Sequence, residues 1–282
     1  MGIFNKDRKD GKYIKPEGSI AILFPFIFDR RVDAEVSSTV QFDLEELCKY
    51  VDNINETYNL EYKMTYFQAI LVCFGKVFFN RNKLNRFVQN KRLYERDKIS
   101  FAFIAKDKMT DNADEKIICL ELDPKDNILS MSRRMAIDVF KSKNEGKNDF
   151  DDTLKMFTSL PHWLLGLIVK FVKFLDKHGW NPRFLTEGDT NYATVIFSNL
   201  GSIHAPSCYH HLNEYGTNSI VITIGTIKEV KGRRMVDITF TLDERIADGF
   251  YFAKSVNMAQ EIANKPELLG DEIGSKYEYS DF

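Results

Sequence analysis

Four cysteines in 282 residues, at positions 48, 73, 119 and 208, form no Cys-x-x-Cys pair, which argues against a zinc site or a disulfide framework. They read as buried reduced thiols. Long hydrophobic runs are missing too: the longest, residues 20–28, is interrupted by Pro25 and falls far short of the roughly 20 residues that span a bilayer. Neither sign of charge is in excess, because 39 Lys plus Arg stand against 41 Asp plus Glu for a net of −2. No global field therefore recruits nucleic acid or an anionic membrane. Position 6 is Lys where a myristoylation signal has Ser or Thr, and the charged start Asn5-Lys6-Asp7-Arg8 is followed by no apolar leader core. The expectation is a cytoplasmic protein with neither membrane nor nucleic acid among its partners. There is no internal repeat and no low-complexity tract.

What the chain does have is core material: 44% hydrophobic residues, with 23 Phe, enough to bury a sizeable interior. Residues 1–18 are charged and read as an N-terminal arm. From 31 to 42 the apolar residues Val32, Ala34, Val36, Val40 and Phe42 keep a period of two, as a strand with one buried face does. Asp43-Leu44-Glu45-Glu46 has capping-box spacing ahead of Leu47, Val51 and Ile54, and Thr65-Tyr66-Phe67-Gln68 repeats it ahead of a helix over 69–79 that is apolar nearly all round. Alternation around Phe101 and Ile117 predicts two paired strands joined by a polar loop over 106–116. A helix follows over about 128–141, then a polar break over 143–148.

After Pro161 comes an amphipathic helix with Trp163, Leu164, Leu167, Ile168, Phe171, Phe174 and Leu175. It is read as packed on the core, since Lys170, Lys173 and Lys177 make too small a basic face for a membrane-surface helix. Strands over 192–197, 219–224 and 235–242, with a Lys231-Gly232 turn, precede a final helix over 249–264. Helices and strands interleave without a linker, which predicts one α/β domain.

Two stretches in the last third carry a resemblance. Ile196-Phe197-Ser198-Asn199-Leu200-Gly201 resembles the Ser-x-Leu-Gly strand end of the dihydrolipoamide acyltransferase cores, and Asp243-Glu244-Arg245-Ile246-Ala247-Asp248-Gly249 resembles that family's Asp-His-Arg-x-x-Asp-Gly. Pro266-Glu267-Leu268-Leu269 falls where the family ends its final helix. The resemblance covers about residues 20–270, with a poorly fitting insertion at about 150–188. It implies an acyltransferase-like core over 19–270 and a tail over 271–282. It further implies the chloramphenicol acetyltransferase-like fold, two-layered with a mixed β-sheet, assembled as a homotrimer with the site between subunits. No lipoyl or subunit-binding domain precedes the core in this sequence.

For chemistry the resemblance implies transfer of an acyl group from acyl-CoA, with coenzyme A as the carrier, to an unknown acceptor, without a metal. Carried over by position, Ser198 matches the oxyanion donor, while Asp248 and Gly249 match the loop anchor. Arg245 and Asn199 accompany them as loop support. Glu244 stands where the family has its catalytic histidine. A free glutamate titrates near 4.3 and a histidine near 6.5, so an unperturbed Glu244 is a far weaker base toward a thiol or hydroxyl.

Three readings of Glu244 are open: a residue paired with a neighbour such as Arg245 in a non-catalytic trimeric scaffold; a base whose pKa burial has raised; or a bystander whose role passes to His204, His210 or His211. The histidine pair also reads as a surface or subunit contact, lacking a third metal ligand at a recognisable spacing. His162 and His178 flank the amphipathic helix in capping or surface roles. Arg30 and Arg31 are candidates to pair with Asp248. Asn199 and Ser202 also have turn-forming character.

Overall fold

The computed structural model describes residues 7–106, 115–144, 159–186 and 188–279. The expected loop over 106–116 and break over 143–148 fall largely outside them. In chain order the elements are β1 (Lys12–Ile14), α1 (Ser19–Ile27), β2 (Glu35–Asp43), α2 (Glu45–Thr57), α3 (Tyr66–Asn80), β3 (Arg86–Gln89), β4 (Arg92–Glu95), β5 (Ser100–Lys106) and β6 (Glu115–Glu121). There follow α4 (Ile128–Asn144), α5 (His162–His178), β7 (Val195–Asn199), β8 (Ile220–Ile224), β9 (Lys228–Val230), β10 (Arg233–Asp243) and α6 (Gly249–Asn264).

The large sheet runs β2-β10-β8-β7-β5-β6, with β9 beside β10, and β1-β4-β3 form a small second sheet. Strand β7 lies parallel to both β5 and β8, and the other pairings are antiparallel. The sheet is mixed, as expected. Its period of two sends Phe42, Ile222, Phe197 and Phe240 to one face, where α3 covers them. Phe74 of α3 is the hub: its ring lies 6.3 Å from Phe42, 5.7 Å from Phe197 and 5.9 Å from Phe240. Phe42, Phe74, Phe197 and Phe240 thus meet in one helix-on-sheet layer, and α2 and α6 flank α3 on the same side.

The two predicted capping boxes fare differently. At α3 the box forms, with Gln68 N donating to Thr65 Oγ1 and the Gln68 side chain accepting from Thr65 N. At α2, Asp43 Oδ1 does accept from Glu45 N, but the return bond to Asp43 N comes from Gln260 of α6 rather than from Glu46. The helix is therefore pinned by a tertiary contact. Lys231 and Gly232, with φ of 52° and 75°, make the tight turn between β9 and β10 that two positive-φ residues favour.

Three stretches depart from their expected setting. Residues 20–28 hold a helix, α1, with Pro25 inside it and Ile20, Leu23, Phe26 and Ile27 exposed. The N-terminal arm contributes β1 to the small sheet and sends Arg8 to a buried place beside Asp176. The amphipathic helix α5 is not packed on the core: Trp163, Leu167, Phe171 and Phe174 all lie in solvent, with Trp163 70% and Phe171 60% exposed. Only its last turn is anchored, through buried Asp176.

Burying a large aromatic in a close-packed layer predicts an asymmetry. Phe74→Ala should lower the unfolding free energy by about 3–5 kcal/mol, whereas Phe171→Ala should stay within about 0.5 kcal/mol, both read from urea melts. Equal costs would mean that α5 is as deeply packed as α3.

Candidate functional site

Ser198 lies near the C-terminal end of β7, on the sheet face opposite the helices. Its register partner is Thr223 of β8, whose own partner is Thr239 of β10, opposite Thr39 of β2. A row of hydroxyls thus crosses four strands. Residues 205–214, an extended strap after β7, lie over this row. Thr223 Oγ1 donates to Cys208 O at 2.6 Å and accepts from Cys208 N. Thr239 Oγ1 bonds Ser207 Oγ at 2.9 Å and Thr39 Oγ1 at 2.8 Å. Ser198, half-buried at the end of the row, is the member whose hydroxyl has no hydrogen-bond partner among the described residues.

Glycine makes the crossing sterically feasible. A Cβ on Gly201 would sit 2.6 Å from Gly225 O, and one on Gly225 would sit 2.7 Å from Ser207 N. Asn199 caps the short turn that starts the strap, accepting from Ser202 N, and His204 closes it in the left-handed conformation. The turn-forming reading of Asn199 and Ser202 holds. His210 and His211 stack on each other at 4.9 Å on the exposed strap. Among the described residues no three His, Cys, Asp or Glu side chains are grouped to hold a metal ion.

Glu244 follows β10 at the opposite end of the sheet. Its backbone N donates to Ala34 O at 2.9 Å, which fixes the chain, while its half-buried carboxylate has no partner among the described residues. Arg245 does not pair with it. Instead Arg245 grips Asp243, with Nε to Oδ1 at 2.8 Å and Nη2 to Oδ2 at 2.7 Å, and reaches Phe28 O with Nη1. Asp243 is wholly buried, and Arg31 Nε approaches its Oδ2 at 3.8 Å, the oxygen that Arg245 Nη2 binds. Burial pushes the pKa of Arg31 down, and Asp243 opposes that shift.

The expected pairing of Arg30 or Arg31 with Asp248 is not formed. Arg30 binds Asp33 in solvent and Arg31 turns inward to Asp243, because a buried guanidinium requires a buried counter-charge. Exposed Asp248 is the N-cap of α6, accepting from Tyr251 N at 2.8 Å. Gly249 opens that helix with free space around its Cβ position.

The sheet register measures how far apart the two halves lie. From Thr239, the residue level with Ser198, to Glu244 is five residues, or about 17 Å along β10 at roughly 3.4 Å each, and two strand spacings add about 10 Å sideways. Ser198 therefore stands about 20 Å from Glu244 within one chain. Sequence reasoning missed Asp243 and Arg31 as the anchors of the Glu244 loop. The signal available was an acid two residues before an arginine at a strand end.

A two-layer core of this topology is the fold of the dihydrolipoamide acetyltransferase cores and of chloramphenicol acetyltransferase. The chain is similar to a probable dihydrolipoamide acetyltransferase from Listeria monocytogenes, with TM-score 0.56 and 14% identity over 90% of this chain and 95% of that one. It is similar to the cubic core of the pyruvate dehydrogenase multienzyme complex, with TM-score 0.58 and 11% identity over 92% and 94%. It is also similar to a chloramphenicol acetyltransferase, with TM-score 0.55 and 10% identity over 90% and 99%. No protein-family model matches the sequence, and neither does any curated protein.

Removing one member of a buried ionic group leaves the others uncompensated. Asp243→Asn should cost about 3–5 kcal/mol of stability, and Glu244→Gln should be within about 0.5 kcal/mol of the parent. Denaturant titration of both variants checks this; a harmless Asp243→Asn would remove that carboxylate as the anchor of the loop.

Proposed function

We propose that the protein is an acyltransferase whose site forms between two copies of the chain, in a homotrimer, with coenzyme A as the acyl carrier. The observation that carries this reading is the separation of two unpartnered polar groups. The Ser198 hydroxyl ends a row of satisfied hydroxyls, and the Glu244 carboxylate is held on a rigid loop about 20 Å away. Neither completes a site alone, and a copy-to-copy contact joining opposite ends of two sheets completes both.

Support comes from a similar structure, that of the Azotobacter vinelandii dihydrolipoamide acetyltransferase, in which the role of a serine, a histidine and an asparagine in the catalytic mechanism has been investigated. The last two are four residues apart in that chain, as Glu244 and Asp248 are here. The exposed apolar face of α1 offers material for self-association, since Arg245 binds the carbonyl of Phe28 just after that helix and so places it beside the Glu244 loop.

In this reading Glu244 accepts the proton of the acceptor's hydroxyl or thiol as that atom attacks the thioester carbonyl. Ser198 of the other copy donates to the oxyanion. The C–S bond then breaks and the departing coenzyme A sulfur takes the proton back. Asp248 caps α6 and holds the loop. An open groove of about 640 Å³ lined by Phe67, Gln68, Phe103, Met135, Val139 and Asn199 reaches the end of β7 and is the place proposed for the pantetheine arm. A second reading, a non-catalytic trimeric scaffold, is favoured by one residue: a carboxylate at 244 in place of an imidazole.

Mixing two inactive variants separates these readings. Ser198→Ala and Glu244→Gln should each abolish acyl transfer as pure trimers, and trimers reassembled from both should regain part of it, because one interface then pairs an intact Ser198 with an intact Glu244. Activity that survives Glu244→Gln would take this residue out of the mechanism. For the donor, saturating acetyl-CoA at a hundred times its Kd should add about 2.7 kcal/mol of stability in thermal unfolding, and no shift would favour the scaffold.

A further inference from the structure

Helix α5 presents an arrangement that acyl transfer does not use. Its outward stripe is Trp163, Leu167, Phe171 and Phe174, spaced four, four and three residues apart and all exposed. Along one edge of that stripe run Lys170, Lys173 and Lys177, also exposed. The single carboxylate of the helix, Asp176, is buried on the inner side, where it accepts from Tyr192 Oη, Gln89 Nε2 and Gly216 N. What α5 shows to solvent is thus apolar and cationic, with no acidic group.

Both tryptophans of the chain mark this one helix. Trp163 opens it, and Trp180, 57% exposed, stacks on His178 just past its end. Tryptophan bodies with a polar edge settle at the headgroup level of a bilayer. Immediately beyond α5, a groove of about 350 Å³ is lined by Gly179, Asn181 and the cations Lys9, Lys98 and Arg183. The one acid there, Asp10, is bound to Arg8, and Lys98 is paired with Glu121, which leaves Lys9 and Arg183 as the groove's unpaired cations among the described residues.

We propose that α5 docks the protein flat onto an anionic phospholipid surface. The apolar stripe enters the headgroup boundary, the lysine stems reach up to lipid phosphates and carboxylates, and the basic groove receives a headgroup at the helix's end. The expectation that no membrane is a partner rested on the near-neutral net charge, the short apolar runs and the small basic face of α5; the exposure of its whole apolar stripe is the observation that sequence did not supply. Crossing is excluded for this helix: 17 residues rise about 26 Å, short of the roughly 30 Å hydrocarbon core, and three of them are lysine. A protein partner fits less well, because the buried centres of protein interfaces are poor in lysine.

The two tryptophans make α5 its own reporter. The full-length protein titrated with phosphatidylcholine vesicles containing phosphatidylserine should show a blue shift of tryptophan emission and should co-sediment with the vesicles, both reversed by added salt. Pure phosphatidylcholine should give much less. Reversing the charge of Lys170, Lys173 and Lys177 to Glu should weaken vesicle binding on the order of a hundredfold or more. Leu167→Glu with Phe171→Glu should abolish it, with the far-ultraviolet circular dichroism and oligomeric state unchanged. Absence of a blue shift with phosphatidylserine vesicles overturns the proposal. So does a change of oligomeric state in the Leu167→Glu/Phe171→Glu variant, which would assign the face to a second copy of the chain.

Discussion

One buried carboxylate holds the periphery of this molecule together. Asp243, at the end of the longest strand, is gripped by Arg245 and faced by Arg31. Each arginine then spends its remaining donors on backbone carbonyls that have no other reason to converge. Arg245 takes Phe28 O after α1, while Arg31 takes Val88 O in the small sheet, Asn213 O in the strap and Gly216 O in the bend that follows it. Main sheet, small sheet, first helix and strap are thereby fastened at one point. Charge makes the point obligatory, since an unpaired buried guanidinium or carboxylate is far more costly than an unpaired apolar group.

That anchor explains why Glu244 is free. In a run of acid, acid and base, local electrostatics alone would let either acid take the arginine. Asp243 takes it because, as the last residue of β10, it is wholly buried on the Thr239 face, where a counter-charge is required, whereas Glu244 lies past the end of the strand and is half-buried. The result is a carboxylate with a fixed backbone and an uncommitted side chain, which suits a group meant to meet something outside its own chain.

The periodic elements were legible because their signals are local. Period-two alternation, the Thr65–Gln68 cap and the Lys231-Gly232 turn each need only a few neighbouring residues, and the final helix begins and ends where its pattern does. The motif residues were legible as well, although not their relations. That Ser198 and Glu244 lie at opposite ends of one sheet depends on β7 running parallel to β8 and antiparallel to β10, which no stretch of sequence encodes by itself. Arg30 and Arg31 were equal candidates to pair with Asp248, because nothing local tells which of two adjacent arginines turns inward or which of two distant acids, Asp243 or Asp248, it meets. Helix α5 misled for a plainer reason: an amphipathic pattern reports that one face seeks apolar company, and says nothing of whether the core supplies it.

Gly216 links the two surfaces. Its N–H donates to Asp176, the anchor of α5, and its carbonyl accepts from Arg31, the partner of Asp243. No other residue fits: φ is 82°, and a Cβ there would lie 2.4 Å from Asn191 O. The inner end of α5 and the Glu244 loop are consequently fastened to the same bend after the strap, although Trp163, Leu167 and Phe171 of α5 stand clear of the core. Asp176, Gly216, Arg31 and Asp243 thus form one continuous series of contacts between the inner end of α5 and the strand that carries the Glu244 loop.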